Sequence, residues 1–404
     1  MDYLFEGLRV LDVGSWIAGP VAATILGDYG ADVIKVEIPG AGDPYRALPG
    51  LPHTPDAAGN YTWDMDARHK RSLALNLKTA EGIGILHDLI RTCDIYITNQ
   101  PLPMRRELKL RYEDLQPLNP KMIFASLSAY GEAGPDKDLE AFDLVAFWTR
   151  SGLMDLVRSG DAPPAQSIPG MGDHGSAVSL YAAIVTALLR RERTGEGGQV
   201  GTSLFANGLF AASCIAQAGF AGGSYENYRR IKDKAAFIRR PYRTKDGRWL
   251  QVYMVRSDED VARMLQVTGL GYLLDDPRFR TAVRRLRHAD ELADLFQAAI
   301  AGQDMAHWQA LYARENVNVQ PVTRVEDLAD DEQIRAAGLL TEDHNGRPVI
   351  DHPVKVDGLP RRARGRAPDV GEHSTGIMSE LGFTDQAIDA LEQNGVIHTG
   401  KAET

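Results

Sequence analysis

Arg9 to Glu37 reads RVLDVGSWIAGPVAATILGDYGADVIKVE, and this stretch decides the fold class. Two β-rich runs, LRVLDVG and ADVIKVE, flank a helical pattern, AGPVAATILGDYG, and the same rhythm returns in CDIYITN and MIFASLS with more helix between them. Strands alternating with helices are the signature of a parallel α/β sheet. The strands are continuous apolar runs, as burial on both faces of such a sheet requires. The expectation is α/β, a Rossmann-like, doubly wound parallel sheet. Ligands bind such sheets beyond the carboxyl ends of the strands, which points to Gly14–Pro20, Glu37–Arg46 and Asn99–Arg106.

Farther along, a helical pattern runs from Asp173 to about Arg193, closed by Thr194-Gly195-Glu196-Gly197-Gly198, and QVGTSL follows as a short strand. Ala177–Leu189 and the weaker apolar run Leu204–Gly223 read as buried helices; the former is about 13 residues long, against about 20 needed to cross a bilayer. PYRTKDGRWLQVYMV reads as a hairpin turning at Lys245-Asp246-Gly247. Helices are expected at Glu259–Val267 and Ala289–Glu315. NVQPVTRVEDLADDEQ and the β-like HPVKVDG suggest a return to the first unit. The expected domains are therefore 1–224, a smaller α+β domain at 225–325, and 326–404.

A chain of 404 residues outgrows a single core, and 44% apolar with 25% charged residues is ordinary globular composition. The net charge of −10 argues against a nucleic-acid partner. Cys93 and Cys214 support neither a disulfide scaffold nor a zinc site, so no metal and a reducing cytoplasm are expected. Neither a secretory signal nor a membrane span is read. The glycines after the first strand give no GxGxxG fingerprint, which discounts a nicotinamide enzyme.

The ordered motifs Gly7-Leu-Arg-Val-Leu-Asp12, Ala18-Gly19-Pro20, Gly30-Ala-Asp-Val-Ile-Lys-Val-Glu37, Gly42-Asp43-Pro44, Lys70 to Lys78, Asn119-Pro120, Tyr130-Gly131, Gly172-Asp173, Asp276-Pro277-Arg278-Phe279 and Gly371-Glu372-His373-Ser374 span most of the chain. In these the sequence resembles the class III CoA-transferase family (formyl-CoA transferase-like), which also includes carnitine and bile-acid CoA-transferases and α-methylacyl-CoA racemases. The resemblance implies a large domain built from both chain ends, a small inserted domain, and an interlocked homodimer. It also implies transfer of CoA from an acyl-CoA to a carboxylic acid acceptor. Coenzyme A is then a substrate, with no tightly bound cofactor.

Asp173 follows Gly172 and precedes a long helix, which reads as an N-cap whose carboxylate the helix terminus keeps ionised. A carboxylate can be a covalent nucleophile. The resemblance makes Asp173 that nucleophile, passing through an aspartyl anhydride and an aspartyl-CoA thioester. Backbone N–H groups of Trp16, Ile17 and Ala18 are the oxyanion candidates, and Asp143 fits a supporting acid. By motif position Leu75, Lys78, Asn99 and Gln100 match nucleotide-binding segments, with Arg105, Arg106 and Lys137 as phosphate cations. Arg239, Arg240 and Arg243 are candidates for a second carboxylate, as in succinate, malate or itaconate.

The sequence departs from its relatives at Ile17, where formyl-CoA transferases carry glutamine, and lacks their tetraglycine loop, so formate and oxalate chemistry is not expected. Ile38 replaces a common basic residue, for which Arg46 is a candidate substitute. Racemisation needs a second base, and its histidine aligns with Phe142; His174 lies on the wrong segment and reads as a capping or surface residue. The same fold also admits an isomerase moving CoA within one dicarboxylate, or a CoA-binding protein without catalysis.

Overall fold

The computed structural model describes residues 2–400 except 53, 160–161, 233–236, 239, 254, 256 and 364. The chain forms two compact units: Met1–Val157, Pro164–Ala216 and Gln333–Thr404 make one, and Arg158–Pro163 with Gln217–Glu332 make the other. The larger unit thus draws on both ends of the chain, and its exchange points with the smaller one follow packing, where the expected boundaries followed shifts in composition.

The larger unit is built on β1 (Arg9–Asp12), β2 (Asp32–Glu37), β3 (Lys70–Leu75), β4 (Ile95–Thr98), β5 (Ile123–Ser128) and β6 (Gly198–Ser203). The smaller unit carries β7 (Pro241–Arg243), β8 (Trp249–Val252) and β9 (Val319–Pro321) as an antiparallel sheet, and β10 (Leu340–Glu342) pairs with β11 (Pro348–Ile350). β12 (Ile397–His398) completes a seven-stranded sheet ordered β12-β3-β2-β1-β4-β5-β6. All its pairings are parallel except β12 with β3. The order reverses between β1 and β4, so the crevice of the doubly wound sheet opens between the loops that follow these two strands.

Both faces are covered, which is why the strands carry no polar alternation. Val10, Val33, Ile95, Ile97 and Ile123 pack on one face with α1 (Ala18–Asp28) and the long helix Met171–Thr194. Leu11, Ile34, Leu73, Tyr96 and Phe124 pack on the other with α3 (Ala80–Thr92) and the C-terminal residues Ile377, Met378 and Ile388. Each such fully buried side chain contributes roughly 1.5–3 kcal/mol.

Several expectations are corrected here. The run Leu204–Gly223 is two helices, Leu204–Ala211 and Ser213–Phe220, with Phe210 80% and Phe220 76% exposed in the single chain. Ala289–Glu315 splits at Gly302 into Ala289–Ile300 and Met305–Arg314, because Asp304 takes an extended conformation and starts a new helix. HPVKVDG is no strand: Pro353 cannot donate to a ladder, and the segment is a strap, with Val354 O accepting from Tyr29 Oη at 3.0 Å. The hairpin about Lys245-Asp246-Gly247 forms as read, with Gly247 at φ 76°.

No helix among the described residues is long and apolar enough to cross a membrane.

Candidate active site

β1 ends at Asp12, a carboxylate with no solvent access, and the loop beyond it is organised around that charge. Lys70 Nζ lies 2.9 Å from Asp12 Oδ2, and Lys35 Nζ lies 3.7 Å from Oδ1. Burial would raise the Asp12 pKa, but these two ammonium groups outweigh it and hold the carboxyl below its usual range. Lys35 also donates to Gly14 O at 2.6 Å and pairs with Asp43 at 2.7 Å. Glu37 extends the network, accepting from Asp43 N, Ser72 Oγ and the Arg46 guanidinium. Charges this deep are tolerated only when each is paired and hydrogen-bonded.

The network fixes Asp43, and Asp43 in turn accepts the Trp16 N–H at 3.0 Å. Trp16 sits at φ 65°, a left-handed conformation that costs a non-glycine residue about 1–2 kcal/mol. Asn99 locks the same turn from the other side of the crevice: its Oδ1 accepts from Ser15 N at 2.8 Å and its Nδ2 donates to Ser15 O at 2.7 Å. A Cβ on Gly14 would lie 2.9 Å from Asn99 Oδ1, so the tie needs glycine there. The Trp16 N–H is therefore engaged, which removes it from the three oxyanion candidates. Ile17 and Ala18 begin α1, where N–H groups have no acceptor within the helix. The Ile17 side chain is core, 5% exposed.

The Met171–Thr194 helix leads into β6, which is parallel to β5, so it runs from the carboxyl edge of the sheet back to the amino edge. Its first turn lies beside the β1 loop: a Cβ on Gly170 would come within 3.2 Å of Ile17 Cδ1. Gly170, at φ 80°, is the N-cap, and Asp173 is the third helical residue, not the cap expected from sequence. Asp143 supplies the missing cap from another segment. Its Oδ2 accepts from Gly172 N at 3.0 Å and its Oδ1 from Leu144 N at 2.8 Å. Gly172 is sterically required, since a Cβ there would sit 2.5 Å from Phe147 Cγ.

Asp173 is consequently half-buried beside a second carboxylate. Burial, then the Asp143 charge, pushes its carboxyl up to about 7, partly opposed by His174. The expectation that the helix terminus keeps this carboxyl ionised at neutral pH meets two opposing effects, desolvation and a like charge.

His174 is no simple surface or capping residue either. Its Nε2 lies 3.2 and 3.3 Å from the two oxygens of Asp66, at the end of α2 (Tyr61–Asp66), and its Nδ1 lies 3.0 Å from Gly170 O. Tyr45 Oη donates to Asp66 Oδ2 at 2.6 Å. Burial lowers the His174 pKa, but the hydrogen bond and charge of Asp66 outweigh it and push the ring up to about 9. Trp16, on the β1 loop, and Phe142, next to Asp143, meet edge to face with centroids 5.5 Å apart; Phe142, Val145 and Met171 are exposed.

The nucleotide-binding candidates divide. Arg105, on α4 (Leu102–Glu107), is 1% exposed and is engaged by Glu132 at 2.6 Å and Gln100 O at 3.0 Å. With Arg106, Arg111, Lys137, Glu113 and Gln199, the last near the start of β6, it lines a cavity of about 260 Å³. Arg105, Arg106 and Lys137, chosen separately, are thus brought together. Lys78 is exposed after β3, whereas the Leu75 side chain is buried core. Gln100 Oε1 is buried without a hydrogen-bond partner among the described residues. Arg46 is no substitute cation for Ile38: it is held by Glu37 and Pro368 O and stacks on Trp63 at 3.9 Å.

In the smaller unit Arg240 pairs with Asp290 at 2.6 Å, and Arg243 is exposed on β7; Arg239 lies outside the described residues. Among the described residues, Asp28, Asp351 and His352 form the one group with metal-ligand spacing, but Arg68 and Arg361 already donate to both carboxylates.

The description CoA-transferase family III matches residues 5–374. The chain belongs to this family. It is 28% identical over 399 residues, 98% of this chain and 99% of the relative, to the (R)-2-hydroxy-4-methylpentanoate CoA-transferase of Clostridioides difficile. It is 30% identical to the succinyl-CoA:glutarate CoA-transferase of Mus musculus, over 97% of this chain and 90% of the relative. A CAIB/BAIF family protein from Brucella suis has the same fold, with TM-score 0.82 and 26% identity, covering 94% of this chain and 100% of that one.

In this family III chain, sequence reasoning missed Asp66, Tyr45, Asp43 and Lys35. Local sequence holds no signal for Asp66, Tyr45 or Asp43, because the network is closed by residues far apart in the chain. The signal available was chemical: Asp12, Lys35 and Lys70 are charges inside strands buried on both faces, and such charges require partners.

Proposed function

We propose that this chain moves CoA from an acyl-CoA thioester to a carboxylic acid through covalent intermediates on Asp173. The observation that carries the reading is a half-buried carboxylate in the first turn of a helix whose N-cap, Gly170, packs against the Ile17 side chain at the start of α1. An Asp173 oxygen attacks the thioester carbonyl, and the resulting oxyanion is met by the N–H groups at Ile17 and Ala18. The C–S bond breaks, CoA leaves as thiolate, and an acyl-aspartyl anhydride remains. The thiolate then attacks the Asp173 carbonyl, giving aspartyl-CoA and releasing the donor acid. The acceptor carboxylate repeats the sequence in reverse. The acyl groups stay activated throughout, so no ATP is consumed. Phe142 carries no proton, which disfavours racemisation.

The cavity lined by Arg106 and Lys137 supports binding of the CoA phosphates, Arg105 being held by Glu132, and Gln100 Oε1, buried without a partner among the described residues, suits the adenine amino group. The Trp16–Phe142 wall favours an acceptor with a branched or aromatic side chain, as in the name of the Clostridioides relative. The dicarboxylate reading rests on Arg243 and on the name of the Mus musculus relative. The strongly exposed Phe210 supports a homodimer.

The test is CoA transfer by the purified protein from succinyl-, acetyl- and branched acyl-CoA to 2-hydroxy-4-methylpentanoate, phenyllactate, succinate and glutarate. Transfer to the apolar acids supports the wall, transfer to the dicarboxylates supports the arginine reading, and transfer to none refutes the proposal.

A further inference from the structure

His174 has both ring nitrogens aimed at acceptors: Nε2 faces the two oxygens of Asp66 at 3.2 and 3.3 Å, and Nδ1 faces Gly170 O at 3.0 Å. A neutral imidazole has one N–H and one lone pair, so it would turn a lone pair against one of these acceptors; only the imidazolium donates to both. The surroundings hold this arrangement in place. Asp66 is 4% exposed and is fixed from its far side by the Tyr45 hydroxyl at 2.6 Å. Gly170 O also accepts the His174 backbone N–H at 3.1 Å, so ring and backbone are pinned to one carbonyl.

We propose that His174 is a positioning residue, locked as an imidazolium by Asp66 and Gly170, whose fixed charge keeps the neighbouring Asp173 ionised for attack. This rests on the reading of Asp173 as nucleophile. The groups facing the pair come from every side. Asp143 approaches from ahead of the Leu144–Thr149 turn, Asp66 from the end of α2, and Tyr45 from the turn after β2. Lys70 of β3 also feels the Asp66 charge but is bound to Asp12 and Pro20 O. Three carboxylates thus crowd the site, and the His174 ring, held against Asp66, is a cation that acts on Asp173 and is not committed to Asp12. The electrostatics agree in direction: His174 lowers the Asp173 value against burial and Asp143.

Two measurements test this. In protein labelled with ¹⁵N histidine and free of substrate, the His174 signal, identified by its loss in His174→Gln, is expected to show two protonated nitrogens at pH 8 and to become neutral there in Asp66→Asn. A neutral ring in the wild type at pH 7 overturns the proposal. In single turnover with acyl-CoA, the acid limb of adduct formation is expected to move up by about one pH unit in His174→Gln, a roughly tenfold loss at pH 6 that recovers by pH 9. His174→Lys, which keeps the charge, should retain more of the wild-type limb. An unchanged limb in a His174→Gln protein that still forms adduct also overturns it. Failure of the nucleophile reading looks different: wild-type protein forms no Asp173-dependent adduct at any pH, and the ¹⁵N result, which needs no turnover, decides the state of His174 by itself.

Discussion

Replacing Asp173 by asparagine should make the protein more stable at pH 8. The carboxyl rises from an unfolded value near 3.8 to about 7 in the fold. A group raised in this way binds its proton more tightly when folded, so its contribution is most favourable below about pH 4 and is lost as pH rises to 7. Three units at 1.36 kcal/mol each bound the penalty at about 4 kcal/mol, and partial solvent contact of the half-buried carboxyl reduces it to roughly 2–3 kcal/mol. Asparagine has nearly the same shape and no charge, so it removes the penalty. Urea unfolding of wild type and Asp173→Asn across the range from pH 4 to pH 8 reads the difference directly: the variant gains about 2–3 kcal/mol at pH 8, and the gap shrinks as pH falls. A variant no more stable than wild type at pH 8, or a gap independent of pH, would refute the assignment of a desolvated, charge-crowded carboxylate. Such a gain with loss of transfer is the trade between stability and activity expected at a site under electrostatic strain.

Asp143→Asn keeps an acceptor for the Gly172 N–H but turns its NH2 toward the Leu144 N–H and removes the charge, so the acid limb of transfer should move to lower pH; Asp143→Ala loses the cap and should cost about 1 kcal/mol in urea unfolding. Gly172→Ala drives a Cβ to 2.5 Å from Phe147 Cγ, and is expected to cost about 1–3 kcal/mol in stability and, through misplacement of Asp173, about 100-fold in kcat/KM, with partial recovery in the double variant carrying Phe147→Ala. Phe142→Ala should raise KM for branched and aromatic acceptors more than for acetate if the wall selects them. Lys137→Ala and Arg106→Ala should each weaken CoA binding, and the weakening should diminish at high salt, as measured by calorimetry.

The central sheet was readable because its strands announce burial on both faces: Val10, Leu11, Ile34, Ile95 and Phe124 need no partner knowledge to be placed inside. β3 is harder to read as a strand, since it begins Lys70-Arg71; Lys70 belongs inside only because Asp12 of β1 meets it, while Arg71 stays half-buried against Asp32 of β2. The position of Asp173 was legible from its motif, but its state was not. Desolvation and the approach of Asp143 depend on a residue 29 positions before Gly172 reaching its N–H, and nothing local reports that. His174 failed for the same reason, its partner Asp66 being 108 residues away. Arg105 and Arg46 show the converse: positive charge in sequence is not free charge, and both are occupied by glutamates.

The measurement that meets the central claim most directly is intact mass of the protein after incubation with succinyl-CoA, acetyl-CoA and branched acyl-CoA, in wild type and Asp173→Ala. Transfer through Asp173 predicts a CoA adduct, heavier than the protein by CoA less the elements of one water because an Asp173 oxygen leaves in the donor acid, that vanishes on adding an acceptor acid and never appears in the variant. CoA transfer that proceeds without an adduct, or an adduct that persists in Asp173→Ala, would contradict it.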